Sequence, residues 1–270
     1  MPLRETKKAL IVVRTYPLPA ASGVEVSCTA AITDDNKWLR LFPLPYRHLD
    51  KDKHFKKYQW IEVETTKASS DSRPESYHPT LSSIKILSDP LPTSNDWQAR
   101  KKLVFPLKAR SLCDLQRERD AKKYPTLGFI RPKIIKQLRI TETSPTWTRA
   151  QLDALHQGNL FQAQPQIELE KIPYIFTYLF CCENEACKGH TLSCTDWEMG
   201  ESWRSWLKTY GEHWEEKFRQ RYEKEMIERN DTYFYVGTIH KHPNRWIIIG
   251  LFYPPKPKAD TTVKAPSLFD

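Results

Sequence analysis

PYIFTYLFCCENEACKGHTLSC, residues 173–194, decides how this chain is read. Its first nine residues are rich in aromatic and β-branched side chains and predict the strongest strand of the chain over 173–181. Four of the six cysteines and one of the eight histidines then follow within residues 181–194. Counted from Cys182, the spacing is Cys-x4-Cys-x2-His-x3-Cys. Thiolates and a neutral imidazole so close together suit a tetrahedral zinc ion, which favours sulfur and nitrogen donors. Cys182, Cys187, His190 and Cys194 are therefore expected to hold a structural zinc, because four protein ligands leave no open position. Cys181 and Cys182 point to opposite faces of the incoming strand. Only one is expected to be a ligand, and Cys182 is favoured. With Cys194 turned inward, Asp196 or water would complete the set and open a catalytic position. Without a metal the same residues would form a cluster of buried thiols. Cys28 and Cys113 stand alone in apolar surroundings and read as core thiols.

The segments after this loop extend the reading. Residues 197–210 and 212–229 predict helices broken at Gly211. Asp196 is placed to cap the first of them, with Glu198 in its first turn, where the helix dipole favours an acid. The same two carboxylates could instead bind Mg²⁺ or polarise a water. Trp203, Trp206, Tyr210, Trp214, Phe218 and Tyr222 recur in steps of three and four, the spacing of a buried helix face rather than of a base-stacking stripe. Strands are expected over 232–238 and 246–252. Between them His240 and His242, two apart on an extended edge, form a candidate acid/base pair or phosphate contact, weighed against an ordinary solvated loop.

Before the loop, the chain reads as basic and β-rich. The formal net charge is +9, and the excess of cations lies in residues 1–140, the remainder being slightly acidic. Residues 9–13 predict a buried strand, 25–33 and 38–42 a hairpin across the polar turn 34–37, and 58–65 a half-exposed strand of period two. Helices are expected over 95–104 and 111–123, the second capped by Ser111, and a further strand within 129–140. Three basic stretches stand out: Lys51, Lys53, Lys56 and Lys57 followed by Tyr58; Arg100, Lys101 and Lys102; and Arg131 with Lys133. Cations hold phosphates through counterion release, and aromatic rings stack on unpaired bases, so these residues are candidate nucleic-acid contacts. A solvated, charged loop is the competing reading of each stretch.

These observations predict an α+β fold. Residues 1–140 form a basic, β-rich, barrel-like nucleic-acid-binding domain, 141–166 a connection with a short helix near 149–157, 167–255 a zinc-stapled α+β domain, and 256–270 a mobile tail. Hydrophobic residues make up 39% of the chain and charged residues 28%, which suits a globular protein. No apolar run approaches the ~18 residues of a membrane span. Residues 9–13 lack a small-residue cleavage site and read as a strand, not a signal peptide. Clustered cysteines without a disulfide-like distribution point to a reducing cytoplasm. With only 8 glycines, and no P-loop, dinucleotide fingerprint, HExxH or GxSxG segment, the common nucleotide hydrolases, dehydrogenases, zinc proteases and serine hydrolases are disfavoured.

Thr15-Tyr16-Pro17, residues 38–43 and residues 55–61 resemble an uncharacterised bacterial protein family. Cys182, Cys187 and His190, Asp196-Trp197-Glu198, Val236-Gly237, His240 and Pro243 extend that resemblance over most of the chain. It implies no activity. The hairpin followed by residues 58–65 is also similar to the small β-barrels of PUA-like nucleic-acid readers, which implies a nucleic-acid partner. The expected function is thus that of a zinc-containing nucleic-acid-binding protein, in genome defence or RNA handling. A metal-dependent nuclease or hydrolase using Asp196, Glu198, His240 and His242 is the alternative. An adaptor subunit with a protein partner in a larger assembly is the third reading.

Overall fold

The computed structural model describes residues 3–20, 25–159, 168–240 and 242–257. Its N-terminal part is built from β1 (Arg4–Arg14), β2 (Leu18–Pro19), β3 (Glu25–Thr33), β4 (Trp38–Leu44), β5 (Trp60–Lys67), β6 (Ser76–Pro79) and β7 (Lys85–Ile86). Five of these close into a ring in the order β1, β3, β4, β6, β5 and back to β1, with β2 and β7 added at β3 and β5. The expected hairpin is β3–β4, its turn helped by Asn36 in the left-handed region at φ 61°. Closure leaves these five strands without a bare edge.

Alternation along β1 explains why the barrel does not stand alone. Ala9 and Ile11 point into the barrel beside Ala31, Leu39, Leu41, Ile61 and Val63. Leu10, Val12 and Val13 point outward and pack with Phe129, Tyr235, Ile249 and Phe252 of the C-terminal part. The barrel wall is therefore also one side of a second core.

The remaining elements are α1 (Ser94–Val104), α2 (Leu112–Lys122), β8 (Leu127–Ile130), β9 (Ile134–Glu142), α3 (Arg149–Asn159), β10 (Tyr174–Cys181), β11 (His190–Cys194), α4 (Trp197–Tyr210), α5 (Trp214–Arg219), α6 (Met226–Glu228), β12 (Tyr233–Ile239) and β13 (His242–Phe252). A π-helical turn over Gln220–Glu225 joins α5 to α6. The six strands form one sheet in the order β8, β12, β13, β11, β10, β9, parallel only between β11 and β13. The division expected at residue 140 falls inside this sheet: β8 and β9 pair with β12 and β10, so residues 127–142 belong to the C-terminal part. The connection carries its expected short helix as α3. Of the tail expected over 256–270, Lys256 is tied down, its amide donating to the Arg229 carbonyl at 2.9 Å, and residues beyond 257 lie outside the described residues.

Helices α4 and α5 cover the sheet as their spacing predicts. Trp203, Trp214, Phe218 and Tyr222 are buried, with Phe218 stacked on Phe176 at 4.4 Å between ring centroids. Tyr210, at the end of the stripe, is instead 41% exposed. The helix stops there because Gly211 takes φ 55°, and the next helix starts on a new axis. In α1 the residues Asn95, Asp96 and Trp97 are left-handed, so the regular helix begins after them. No helix among the described residues is long and apolar enough to cross a membrane.

Candidate functional site

The strand β10 delivers Cys181 and Cys182 into a tight turn. Asn184 holds that turn by accepting from the Cys187 amide through its carbonyl and from the Ala186 amide through its side chain, at 3.0 and 2.9 Å. Gly189, at φ 96°, supplies the reversal that returns the chain as β11 with His190 at its head. The Cys182 amide donates to the Cys187 sulfur at 3.3 Å, an arrangement that favours a thiolate there. The fourth member comes from elsewhere in the chain. Cys113, in the first turn of α2, places its sulfur 3.3 Å from His190 Nε2, and Cys187 places its own at 3.4 Å from the same nitrogen. The donor atoms of Cys113, Cys182, Cys187 and His190 all lie within 4.8 Å of one another, and together they could hold a metal ion.

Two expectations are corrected by this geometry. Cys194 lies outside the cluster: it is the last residue of β11, 7% exposed, among the apolar side chains between sheet and helices, and burial raises its thiol pKa strongly. Cys113 is not an isolated core thiol. Of the two adjacent cysteines, Cys182 and not Cys181 is among the four clustered donors. The electrostatics suit a metal. Burial holds the His190 imidazole below its usual pKa and so neutral. Burial would raise Cys187, but amide donors from Cys182 and Gly189 and the neighbouring thiols outweigh it and lower its pKa. Burial, then the nearby sulfurs of Cys187 and Cys182, push Cys113 up to about 12, the repulsion a cation would relieve.

A second constellation joins the two halves. Lys57, expected as a phosphate contact, is buried, with Nζ 3.3 Å from Asp196 Oδ2 and 3.1 Å from Glu198 Oε2. Asp196 is the cap of α4: Oδ1 accepts from the Glu198 and Met199 amides, and Oδ2 also accepts from the Leu251 amide at 3.0 Å. Burial raises the pKa of Asp196, against the pull of Lys57. For Glu198 burial also acts upward, but the Lys57 cation prevails and the pKa is lowered. With its oxygens so engaged, Asp196 has no free edge for Mg²⁺. The histidines do not join it: His240 Nδ1 stands 3.4 Å from Asp71 Oδ1, and His242 is exposed at the start of β13.

Around this trio lie stacked guanidiniums. Arg14, which sequence reasoning passed over, sits 3.9 Å from the Tyr46 ring and 4.9 Å from the Trp197 ring. Arg100 sits 4.2 Å from the Tyr58 ring and 4.9 Å from the Trp97 ring. Tyr58 is thus a buried platform for Arg100, not a ring open to bases. Because it bridges loop and helix, the first two basic stretches meet there. Lys51, Lys56 and Lys102 are exposed and Lys101 is half-buried, while Lys53 is tied to Asp50 at 2.5 Å. Arg131 and Lys133 belong to the turn between β8 and β9, where Arg131 pairs with Asp231 at 2.7 Å.

Residues 108–270 match the model of a domain of unknown function, DUF8757. Residues 5–106 match a second domain of unknown function, DUF8758. The boundary between them falls in the short helical turn Phe105–Leu107 that links α1 to α2. No curated protein matches the chain.

Proposed function

We propose, on the premise that this chain belongs to the DUF8757 family through residues 108–270, that it is a zinc-stapled nucleic-acid-binding protein. Zinc is the metal best suited to three thiols and an imidazole, and a closed set of four such ligands serves structure. Cys113 would tie α2 to the turn between β10 and β11, and the metal would act as a cross-link between segments far apart in the chain.

The binding reading is carried by one observation: Arg14 and Arg100 each lie over aromatic rings, in the part of the molecule where the stretches with exposed Lys51, Lys56 and Lys102 meet. Guanidiniums held on aromatic rings, with lysines around them, suit the phosphates of a nucleic acid. Anisotropy of a labelled single-stranded oligonucleotide, followed from about 50 to 200 mM salt, tests it. Binding is expected to weaken with salt, and Arg14→Ala and Arg100→Ala are each expected to flatten the log–log slope by about 0.7. Unchanged affinity and slope in the folded double variant, or no binding at the lowest salt, would reject the reading.

A further inference from the structure

Between the barrel and the C-terminal sheet lies a cavity of about 770 Å³. Its walls are largely apolar, with Leu18, Val26, Trp147, Ile175 and Ile247 among them, and it is floored by Arg40, Arg73 and Thr238. Neither Arg14 nor Arg100 lines it. Arg40 is the unusual member. It is 1% exposed, and only its Nη2 is engaged, donating to the Thr126 carbonyl at 3.0 Å and standing 3.5 Å from Glu75 Oε1. Among the described residues its Nε and Nη1 have no hydrogen-bond partner, nor has the hydroxyl of Thr238. A buried donor left unpaired costs about 1–3 kcal/mol, more when charged. Gly237 lets strand β12 pass close to this guanidinium: a Cβ there would stand 3.6 Å from Nη2 and 3.2 Å from Leu127.

Most charged side chains on the cavity wall are already paired. Arg73 is spent on Asp71, to which it donates from Nε and Nη2, and on the Thr238 carbonyl, 2.7 Å from Nη1. Asp196, also on the wall, is neutralised by Lys57. His240 stands beside Asp71, and Arg40 is left with one ion contact, 3.5 Å to Glu75 Oε1, among the described residues. Guanidinium nitrogens and a hydroxyl without partners at a largely apolar wall call for an anionic oxygen acceptor on an apolar body.

We infer that this cavity binds a small carboxylate with an aromatic or branched apolar body, its carboxylate accepting from Arg40 and Thr238. The test is calorimetric titration of the full-length, metal-loaded protein with 2-naphthoate and with its uncharged twin, 2-naphthalenemethanol. One saturable site per chain is expected, about tenfold or more tighter for the acid, with a loss of similar size in Arg40→Lys. Thr238→Val keeps side-chain shape while removing the hydroxyl, and Ile247→Trp fills the chamber. Both are expected to weaken binding, and they decide the matter if Arg40→Lys does not fold. The inference is overturned by absent or non-saturable binding of naphthoate, by equal affinity for the alcohol, or by variants that bind as the parent does. Displacement of naphthoate by a single-stranded oligonucleotide would assign the binding to the stacked-arginine surface instead, and would also overturn it.

Discussion

Exchanging Cys113 for serine separates the spatial donor set from the one suggested by spacing. Cys113 lies within 4.8 Å of the other three donors, and Cys194 lies outside that set in the core. An ion held a thousandfold below its free concentration stabilises the folded state by about 4 kcal/mol. At about 2–4 °C per kcal/mol for a protein near this size, its loss lowers the melting temperature by about 8–16 °C. Cys113→Ser is therefore expected to contain little zinc and to melt lower by that amount. Cys194→Ser places a hydroxyl in an apolar site, costs about 1–3 kcal/mol, and is expected to keep its full metal content. Elemental analysis and calorimetric melting of the two variants beside the parent give the answer. Chelator should bring the parent down to the Cys113→Ser value and leave that variant unmoved. A metal-loaded Cys113→Ser together with a metal-free Cys194→Ser would refute the spatial argument.

Two further outcomes follow from the buried charges. Lys57→Met leaves Asp196 facing Glu198 without a cation and is expected to cost about 3–5 kcal/mol in urea unfolding; a loss well under 1 kcal/mol would mean the trio is not held as a buried ion cluster. For Asp71, burial acts to raise the pKa but the Arg73 guanidinium and the amide bond from Arg73 prevail, and the carboxyl sits well below its ordinary value. A depressed carboxylate contributes stability above its unfolded pKa near 4 and loses it as the pH falls toward the folded value. The acid limb of a stability profile should therefore be shallower in Asp71→Asn, and an unchanged limb would remove Asp71 as its source.

What could be read from the sequence was local. The strand ending at Cys181, the turn with Cys187 and His190, and the capping role of Asp196 each depend on residues within a few positions of one another, and each stands in the structure. What could not be read depends on distance along the chain. The Cys113 and His190 partners are 77 residues apart, and Lys57 and Asp196 are 139 apart. The one signal for Cys113 was its place two residues after the capping Ser111, where helix amides favour a thiolate. Lys57 and Tyr58 read as surface residues because their neighbours Lys51, Lys53 and Lys56 are charged. Only the arrival of α4 and β13 turns them inward. The boundary after residue 140 failed for a similar reason: β9 is basic like the barrel, but its hydrogen bonds go to β10.

The double-faced wall of the barrel has a consequence for how the chain is made. Every strand of the ring is contained in residues 4–79, so the ring can close while the rest of the protein is still being synthesised. Phe129, Tyr235, Ile249 and Phe252, which cover its outer wall, emerge later, the last of them after roughly 9–35 s at ~5–20 residues per second. Over that interval Leu10, Val12, Val13, Ala30 and Ile32 present water with a continuous oily patch on an otherwise finished module. The order of the two halves thus makes the nascent barrel a client for whatever shields hydrophobic surface at the ribosome, and the second half its intramolecular chaperone.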